Sequence, residues 1–375
     1  MAKRVYTIGQ VGYQFMGRAH SNAYRQVGRY FDLPFEVRMK TLCGRNEARV
    51  SEAAKKLGWE GYVTDYRQML DDPEIDIVDV NAPGDAHAQI AIAAAKAGKV
   101  VFCEKPLGNT LKEAEEMYAA VESAGVPNAL FHNYRKSPAV ALAKKMIDDG
   151  RIGTIYHFRG HYLQDWNIDP NVPLSWRMRK DIAGSGVNGD LNAHLIDMAR
   201  YLVGEFACVN GMMETFIKQR PLEGNPEQMG EVTVDDAAIF MARFQNGALG
   251  TFEATRYATG HKNYNRFEIN GSKGSLIFNF ERMNELEYFD NTEPQEVQGF
   301  RVIQASEGCH PYMAQYWPAG HIIGYEHTFI NLVADALMAL HERRPISPNF
   351  KDGLENQKVL DAVEKSINSQ SWVHI

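Results

Sequence analysis

Short apolar runs alternate with amphipathic segments through the first third of the chain. The runs have the length of buried strands, and the segments between them carry apolar residues at helical spacing. A capping pattern, Thr110-Leu111-Lys112-Glu113, marks the start of the last helix. This alternation predicts right-handed βαβ units and a doubly wound parallel sheet, in a domain over residues 1–132. Strands are predicted at residues 5–8, 37–42, 75–80, 100–103 and 129–131, and helices at 18–28, 46–56, 85–97 and 112–123.

After about residue 150 the apolar runs become longer and partly alternate with polar residues. Asn246-Gly247 is a strong hairpin turn, and residues 270–274 form a second turn. These features favour a mixed or antiparallel sheet in a second α/β domain, over residues 133–375, with one face free to pack on helices or on another subunit. Strands are predicted at 156–162, 238–244, 248–254, 266–269 and 275–280, helices at 190–203, 325–341 and 352–368, and loops at 219–232 and 290–310.

Composition narrows the class of protein. The chain has 375 residues, a net charge of −7 and no cluster of Lys and Arg, so neither nucleic acid nor a membrane is an expected partner. Its four cysteines lie far apart without a CxxC pair, which indicates reduced thiols and a cytoplasmic protein. The first residues show no signal-peptide pattern, and no apolar window is long enough to span a bilayer.

A glycine-rich turn between the first strand and the first helix predicts a dinucleotide site. Gly12 and Gly17 occupy the outer positions of a GxGxxG pattern, and Gln14 replaces the middle glycine. Phe15 and Met16 complete the loop, whose helix N-terminus offers N–H groups to a pyrophosphate. A tight turn without a ligand is the alternative interpretation.

Other cofactor contacts are expected where the next strands end. Arg45 stands where an acidic residue would bind the ribose of NAD, so it either accepts the 2′-phosphate of NADP or stacks on adenine while Asn46 holds the ribose. The sequence therefore predicts NAD or NADP without choosing between them, and Arg45 can also be a surface residue. The ends of the later strands add Asn81, Pro83, His87, Glu104 and Lys105 to the predicted cofactor contacts.

Two segments carry the candidate catalytic groups. Lys105 follows a buried strand, where a lysine is costly unless it faces a cleft, although a solvated loop lysine is an equal alternative. Asp190, His194 and Asp197 share one helix face. Asp190 can instead be a helix N-cap and His194 a core histidine. A metal site is not predicted, because no third ligand stands at a useful spacing.

Together these residues resemble the Gfo/Idh/MocA oxidoreductases, the family of glucose–fructose oxidoreductase and inositol dehydrogenase. The resemblance extends over nearly the whole chain, and the combination of Glu104-Lys105-Pro106 with Asp190 and His194 is its most specific part. It implies a Rossmann domain, a second α/β domain with a large, mostly antiparallel open sheet, a homodimer or homotetramer, and a cis Lys105–Pro106 bond. Further matching residues are His20, Asn133-Tyr134-Arg135, Trp176-Arg177, Trp317 to His321, Tyr325 and Asp352-Gly353-Leu354.

The resemblance implies hydride transfer between a secondary hydroxyl of a polyol or glycoside and a nicotinamide. Lys105, Asp190 and His194 are then catalytic, with His194 as general base and Lys105 beside the developing alkoxide. Asn133, Trp176, His321 and Tyr325 are expected to contact the sugar, although ordinary packing would explain the aromatic residues nearly as well. Three alternatives remain: glycoside oxidation with a retained cofactor that assists cleavage, a non-catalytic sugar or dinucleotide sensor, and reduction of an imine or enone.

Overall fold

The computed structural model describes residues 3–375, and its first 130 residues form strands and helices in alternation. The central strands β4 and β5 are almost fully buried, as expected where helices cover both faces of a parallel sheet. The strands are β1 (Arg4–Val11), β2 (Phe35–Cys43), β3 (Gly61–Val63), β4 (Ile77–Val80), β5 (Val100–Cys103) and β6 (Asn128–Leu130). The helices are α1 (Phe15–Tyr30), α2 (Glu47–Leu57), α3 (Arg67–Leu70), α4 (His87–Lys96) and α5 (Leu111–Ala124).

These six strands form one parallel sheet in the order β3-β2-β1-β4-β5-β6. The strand order reverses beside β1, and ligands of such sheets bind at this point, beyond the carboxyl ends of the strands. Thr110 and Glu113 form the predicted capping box of α5. The predicted parallel sheet is thus confirmed, whereas the short elements β3 and α3 were missed because three or four residues are too few to show a period.

Residues 137–323 form helices and a larger sheet. The helices are α6 (Pro138–Asp148), α7 (Lys180–Ala183) and α8 (Ala193–Leu202), and a π-helical turn, Asn188–Asn192, leads directly into α8. The strands are β7 (Ile155–Leu163), β8 (Phe206–Glu214), β9 (Gln219–Leu222), β10 (Asn225–Glu231), β11 (Ala237–Phe244), β12 (Leu249–Thr255), β13 (Tyr264–Gly271), β14 (Gly274–Asn279), β15 (Glu285–Asp290) and β16 (Arg301–Gln304). The remaining elements are α9 (Tyr325–His341), α10 (Phe350–Ser369) and β17 (Val373–His374).

The larger sheet has nine strands, in the order β16-β15-β14-β13-β7-β12-β11-β8-β17. Only β7 and β12 run parallel, and the other pairs are antiparallel, which confirms the predicted open and mostly antiparallel sheet. Asn246-Gly247 closes the β11–β12 hairpin with Gly247 at φ +90°. Phenylalanines from neighbouring strands fill the inner face, such as Phe240 and Phe252 with ring centroids 4.3 Å apart.

Two segments predicted to be loops contain strands. Residues 219–232 form the β9–β10 hairpin, a separate two-stranded sheet, and 301–304 form the edge strand β16. Both segments are polar because most of their side chains face solvent, so they lack the apolar alternation of a half-buried strand. The interpretation of these segments as loops is wrong for that reason.

The described chain divides into two compact units, and each contains residues from two separate stretches. The first unit comprises residues up to Lys136 together with Gly324–Glu355, and the second comprises Ser137–Ile323 and Asn356–Ile375. This grouping differs from a single boundary at residue 132 because α9 buries its apolar side chains in the core of the first unit, against α1 and the parallel sheet. A second core of the first unit lies among α4, α5 and the same sheet.

Candidate functional site

The glycine-rich turn of the first unit is shaped by two close backbone approaches. Gly12 has φ +105°, and a Cβ atom there would overlap the carbonyl oxygen of Asn81. A Cβ atom at Gly17 would overlap the carbonyl oxygen of Gly12. Gln14 has φ −76° and lies exposed, so this position does not need glycine for its backbone conformation. The departure from the GxGxxG pattern therefore leaves the turn itself intact.

The buried side chain of Gln10, in β1, stabilises the same turn by hydrogen bonds. Its Nε2 donates to the carbonyl oxygen of Gly12 at 2.8 Å and to that of Gly17 at 3.0 Å. The hydroxyl of Ser21 also donates to Gly17, at 2.6 Å, and accepts from Nε1 of Trp59 at 3.0 Å. Sequence analysis missed this network because a glutamine in a strand carries no spacing signal.

The N-terminus of α1 follows the turn. Gln14 is the N-cap residue and accepts from Arg18 through its carbonyl, and within the described chain its side chain does not cap the helix. The first N–H groups of α1 therefore remain available to an anion. Phe15 is 61% exposed and stacks on Tyr325, the first residue of α9, with ring centroids 6.1 Å apart. Met16 is half-buried beside it.

The ends of β2 and β4 border the turn. Asn46 caps α2, its Oδ1 accepting from the backbone N–H of Arg49 at 3.0 Å, while Arg45 is exposed. Asn81 is 8% exposed, and neither polar atom of its amide has a hydrogen-bond partner among residues 3–375. Because buried amides are nearly always paired, the position of this side chain beside the turn makes it a candidate contact for a ligand.

Pro83 and His87 shape the loop after β4. Pro83 is exposed and precedes a short 3-10 turn. His87 is buried, and its ring nitrogens contact the carbonyl oxygens of Ala82 at 2.9 Å and of Pro106 at 3.0 Å. His87 thus ties the loops after β4 and β5 together, and a direct contact with a cofactor stays a prediction.

Glu104 and Lys105 follow β5. Glu104 is buried, and its carboxylate accepts from the backbone N–H of Lys105 at 3.1 Å and contacts Nε2 of His20 at 2.9 Å. Lys105 is partly exposed, and its bond to Pro106 is cis, as the resemblance implies. The structure therefore brings the predicted residues at the ends of β1, β2, β4 and β5 to one edge of the parallel sheet.

These features fit a dinucleotide. A Cβ atom would close the turn at Gly12 and Gly17, a helix N-terminus faces it, and an unpaired buried amide stands beside it. Gly12, Gly17, Asn81 and the start of α1 would hold the pyrophosphate end.

Among the described residues, no group of three or more His, Cys, Asp or Glu side chains is arranged to bind a metal ion. Nor is any helix in this part of the chain long and apolar enough to cross a membrane.

Asp190 and His194 lie at the start of α8 in the second unit. Asp190 is inside the π-helical turn, and its carboxylate accepts from Nη2 of Arg256 at 2.7 Å, so it is an ion-pair partner rather than the N-cap of α8. His194 is 7% exposed, with its ring edge-on to Tyr162 at 5.7 Å between centroids. A π-helical turn of this kind is frequent at functional sites.

The carboxylate of Asp235 anchors this turn. Its two oxygens accept from the backbone N–H groups of Gly186 and Asn188, both at 2.7 Å. A Cβ atom at Gly186 would overlap the backbone of Asp235, so the glycine allows this approach. Burial raises the pKa of Asp235 above its ordinary value, although the two N–H donors oppose that shift. Further along the helix, Asp197 is buried and accepts from the amide of Asn356 at 3.0 Å.

The predicted sugar contacts lie in different surroundings. In the second unit, Trp176 is 38% exposed beneath the guanidinium of Arg177, and His321 is exposed. In the first unit, Asn133 is buried and donates to Oγ1 of Thr328 at 2.7 Å, while Tyr325 is half-buried against Phe15. One N–H of the Asn133 amide is thus used inside the first unit.

Arg256 is a residue of the candidate site that the sequence did not predict. It is buried, binds Asp190, and lies 5.1 Å from the ring centroid of Trp166, which is 41% exposed. The available signal was an arginine immediately after the apolar strand β12. Because arginines are common at strand ends, that signal becomes informative only when Asp190 is seen beside it.

Two stretches of the chain match the two domains of one oxidoreductase family. Residues 6–132 match the family described as "Oxidoreductase family, NAD-binding Rossmann fold", and residues 140–277 match the "GFO/IDH/MocA C-terminal domain". The matches span more than half of the chain. They confirm the predicted fold class, the nicotinamide cofactor and the oxidoreductase class.

Full-length relatives agree with these matches. The chain is 44% identical over 381 residues to levoglucosan dehydrogenase of Pseudarthrobacter phenanthrenivorans, which covers 98% of this chain and 97% of the relative. It is 52% identical to an oxidoreductase domain protein from Kribbella flavida, whose crystal structure superposes with a TM-score of 0.96 over 100% of both chains. Levoglucosan dehydrogenase in complex with NADH and levoglucosan superposes with a TM-score of 0.96 at 45% identity, over 99% of this chain and 100% of that one. The chain is therefore a member of the Gfo/Idh/MocA family of NAD-binding oxidoreductases.

Proposed function

We propose that the protein oxidises a secondary hydroxyl of levoglucosan or a closely related anhydro sugar, with NAD⁺ as the hydride acceptor. The observation that carries this proposal is the full-length relationship to levoglucosan dehydrogenase at 44% identity. A relationship over the whole length includes the domain that binds the substrate as well as the Rossmann domain. Fold alone would not support a substrate, because one fold serves many reactions.

In this proposal the catalytic residues are Lys105, Asp190 and His194. The bound nicotinamide supplies the hydride acceptor. His194 takes the hydroxyl proton as general base, since an imidazole exchanges protons near neutral pH. The ammonium of Lys105 stabilises the alkoxide that develops as the proton leaves. Asp190, held in one orientation by Arg256, accepts a hydrogen bond from a neighbouring sugar hydroxyl.

NAD rather than NADP is the proposed cofactor. The family match is to an NAD-binding fold, and Gly12, Gly17 and Asn81 offer contacts to the diphosphate that both cofactors share. Arg45 is exposed after β2, where its planar guanidinium can stack on the adenine ring. Asn46 offers its amide to the ribose while its oxygen caps α2. Phe15, Met16 and Pro83 complete the proposed cofactor contacts at this edge of the sheet.

Sugar contacts are proposed from the second unit and from the start of α9. Trp176 presents a partly exposed ring, which suits the apolar face of a sugar, and exposed His321 offers a hydrogen-bonding ring. Tyr325 adds a phenol group, and Asn133 adds an amide whose nitrogen also donates to Oγ1 of Thr328.

A reducing compartment suits the cysteines. Cys43, Cys103 and Cys208 are buried and unoxidised, and Cys309 is exposed as a free thiol. We infer a cytoplasmic enzyme whose partners are its small-molecule substrate and further copies of itself, with neither nucleic acid nor membrane bound.

Initial rates of NADH formation test the proposed reaction. Purified protein is given NAD⁺ or NADP⁺ with levoglucosan, myo-inositol, D-glucose or a methyl glucoside. We expect the highest kcat/KM with levoglucosan and NAD⁺. A higher value with myo-inositol or glucose would overturn the substrate, and a higher value with NADP⁺ would overturn the cofactor.

The same assay separates the rival functions. An enzyme that retains its cofactor would convert a glycoside without added NAD⁺ and without accumulating NADH. A sensor would bind sugar and dinucleotide with no turnover on any substrate of the panel. Either result would contradict the proposed dehydrogenase.

A further inference from the structure

A buried histidine in the first unit bridges two acidic side chains. Nδ1 of His20 lies 2.9 Å from Oδ2 of Asp79, and its Nε2 lies 2.9 Å from Oε1 of Glu104. His20 and Asp79 are fully buried, and Glu104 is 4% exposed. His20 comes from α1, Asp79 from β4, and Glu104 from the end of β5, so the bridge joins three elements of the parallel sheet.

Each ring nitrogen lies at hydrogen-bond distance from an acidic side chain, an arrangement that a ring donating from both nitrogens satisfies. A neutral imidazole has one N–H donor, so its other nitrogen would direct a lone pair at a carboxylate oxygen. An imidazolium donates from both nitrogens and offsets one of the two negative charges. Two buried carboxylates without that positive charge would be costly, because the remaining neutral donors, the Tyr24 hydroxyl and the Lys105 N–H, do not offset their charge.

The groups that face His20 from every packed element agree with a positive ring. From α1, the hydroxyl of Tyr24 donates to Oδ2 of Asp79 at 3.0 Å. Phe131, just after β6, stacks on the imidazole with centroids 4.0 Å apart, and Phe329 of α9 lies at 5.4 Å. The only charged groups that contact the ring within the described chain are therefore the two carboxylates.

Burial alone would lower the pKa of His20, but the charges and hydrogen bonds of Asp79 and Glu104 outweigh it and raise the pKa to about 9. The ring thus stays protonated through the neutral range. Burial next to these acids also raises the pKa of the neighbouring Cys103 thiol, which keeps that thiol uncharged.

Glu104 connects this charge to Lys105. One oxygen of its carboxylate contacts His20, and the other accepts from the backbone N–H of Lys105 at 3.1 Å. The backbone N–H of Glu104 donates to the carbonyl of Val80 at 2.9 Å, which fixes the start of the same segment. A change at His20 would therefore reach Lys105 through one side chain.

We propose that His20 is a positioning residue, a buried imidazolium that fixes the backbone of Lys105 through Glu104. The inference rests on the proposed function in one respect: it assumes that Lys105 acts in the reaction. The charge state of His20 does not depend on any substrate, so the proposed imidazolium and the proposed reaction can be disproved separately. His20 itself touches neither substrate nor cofactor in this proposal.

Nitrogen NMR of ¹⁵N-histidine protein tests the charge state without turnover. His20→Gln identifies the signal, because its resonance disappears from the spectrum. We expect two protonated ring nitrogens at neutral pH and a titration near pH 9. A neutral tautomer at neutral pH would overturn the imidazolium, whether or not the protein oxidises a sugar.

Kinetics test the positioning role. We expect His20→Gln to lower kcat by about tenfold or more, with a smaller change in the KM for the sugar, because a misplaced ammonium harms the transition state more than binding. The dissociation constant for NADH and the melting temperature show whether the variant is folded. Unchanged kcat in a folded variant would overturn the role.

Two further variants keep the test decisive if His20→Gln does not fold. Glu104→Gln retains the shape of the bridge but removes one charge, and it should also lower kcat, measured at saturating NAD⁺ because Glu104 is itself a predicted cofactor contact. Tyr24→Phe removes the other hydrogen bond to Asp79 and leaves Glu104 untouched, so its kcat should stay close to that of the wild type. Equal losses in Tyr24→Phe and Glu104→Gln would indicate a merely structural cluster and contradict the proposal.

Discussion

Individual side chains of the candidate site were proposed where their position in an element restricts them, and their roles stay predictions. Lys105 was proposed because a lysine at the end of a buried strand needs a cleft, and Asp190 with His194 because they are four residues apart. The ion pair of Asp190 with Arg256 and the contacts of His20 with Asp79 were not predictable. Each joins side chains more than fifty residues apart, and only the fold brings them together.

Loss of the proposed catalytic groups should affect chemistry more than cofactor binding. We expect Lys105→Met and His194→Asn to lower the single-turnover rate by about 10² or more, since each group acts on charge that develops in the transition state. NADH affinity should change little. Matched substitutions of exposed residues, Lys96→Met and His157→Asn, serve as controls. Near-normal rates in either active-site variant would remove that residue from the mechanism.

The protonation of His20 predicts how stability depends on pH. Because its pKa in the folded chain is raised to about 9 from 6.5, its contribution to the free energy of unfolding is complete below about pH 6.5 and is lost as pH rises through about 9. The contribution of His20 to the free energy of unfolding should fall by on the order of 3 kcal/mol across this pH range. Urea denaturation of the wild type and His20→Gln should show this slope only in the wild type. If the free energy of unfolding changed with pH in the same way in both proteins, the predicted role of His20 would be wrong.

At the scale of elements, most of the predicted strands and helices have a clear period, although α6 and β15 were missed in spite of theirs. Helix α9 was predicted at its observed bounds, and β11 within one residue. The hairpin β9–β10 was missed because its side chains are mainly polar, and β8 because its apolar residues alternate irregularly. These strands are stabilised by packing against neighbouring strands, and that packing cannot be predicted from the pattern of a single segment.

The turn between β1 and α1 gives a prediction at the same scale. In Gly12→Ala, a methyl group would overlap the carbonyl oxygen of Asn81 at a backbone φ of +105°. We expect NADH affinity to fall by about tenfold or more, with a loss of stability on the order of 1–3 kcal/mol. Isothermal titration calorimetry and thermal melting would measure both effects.

Gly28→Ala provides the matched control. Gly28 lies within α1, and a Cβ atom there would meet nothing within 4 Å. This variant should bind NADH normally and be as stable as the wild type or slightly more stable, because alanine favours the helix. An equal loss of affinity in both variants would contradict the role of the turn.

At the scale of the whole molecule, one face of the nine-stranded sheet carries a group of exposed apolar side chains. Met212 is 67% exposed, Ile239 45%, Met241 51% and Leu249 43%, and they project from adjacent strands β8, β11 and β12. The inner face of the same strands is buried. Because exposed apolar side chains grouped on one surface favour association, we propose that a second copy of the chain covers this face.

Light scattering after size-exclusion chromatography tests this association. We expect a dimer or tetramer for the wild type and a shift toward monomer in Ile239→Glu/Met241→Glu, because two buried carboxylates would oppose the contact. Lys96→Glu, an exposed position of α4 in the first unit, changes the net charge by the same amount and should leave the association intact. A monomeric wild type would exclude the interface at once.

The division of the first unit between two distant stretches has a consequence for how the chain is made. The apolar face of α1 is completed by Phe329, Ile330 and Val333 of α9, about three hundred residues later in the chain. While the ribosome is still translating the intervening segment, that face has no covering. A nascent chain would therefore need protection by a chaperone until α9 emerges, and a gene fragment that stops at Lys136 should yield aggregates rather than a minimal dinucleotide-binding domain.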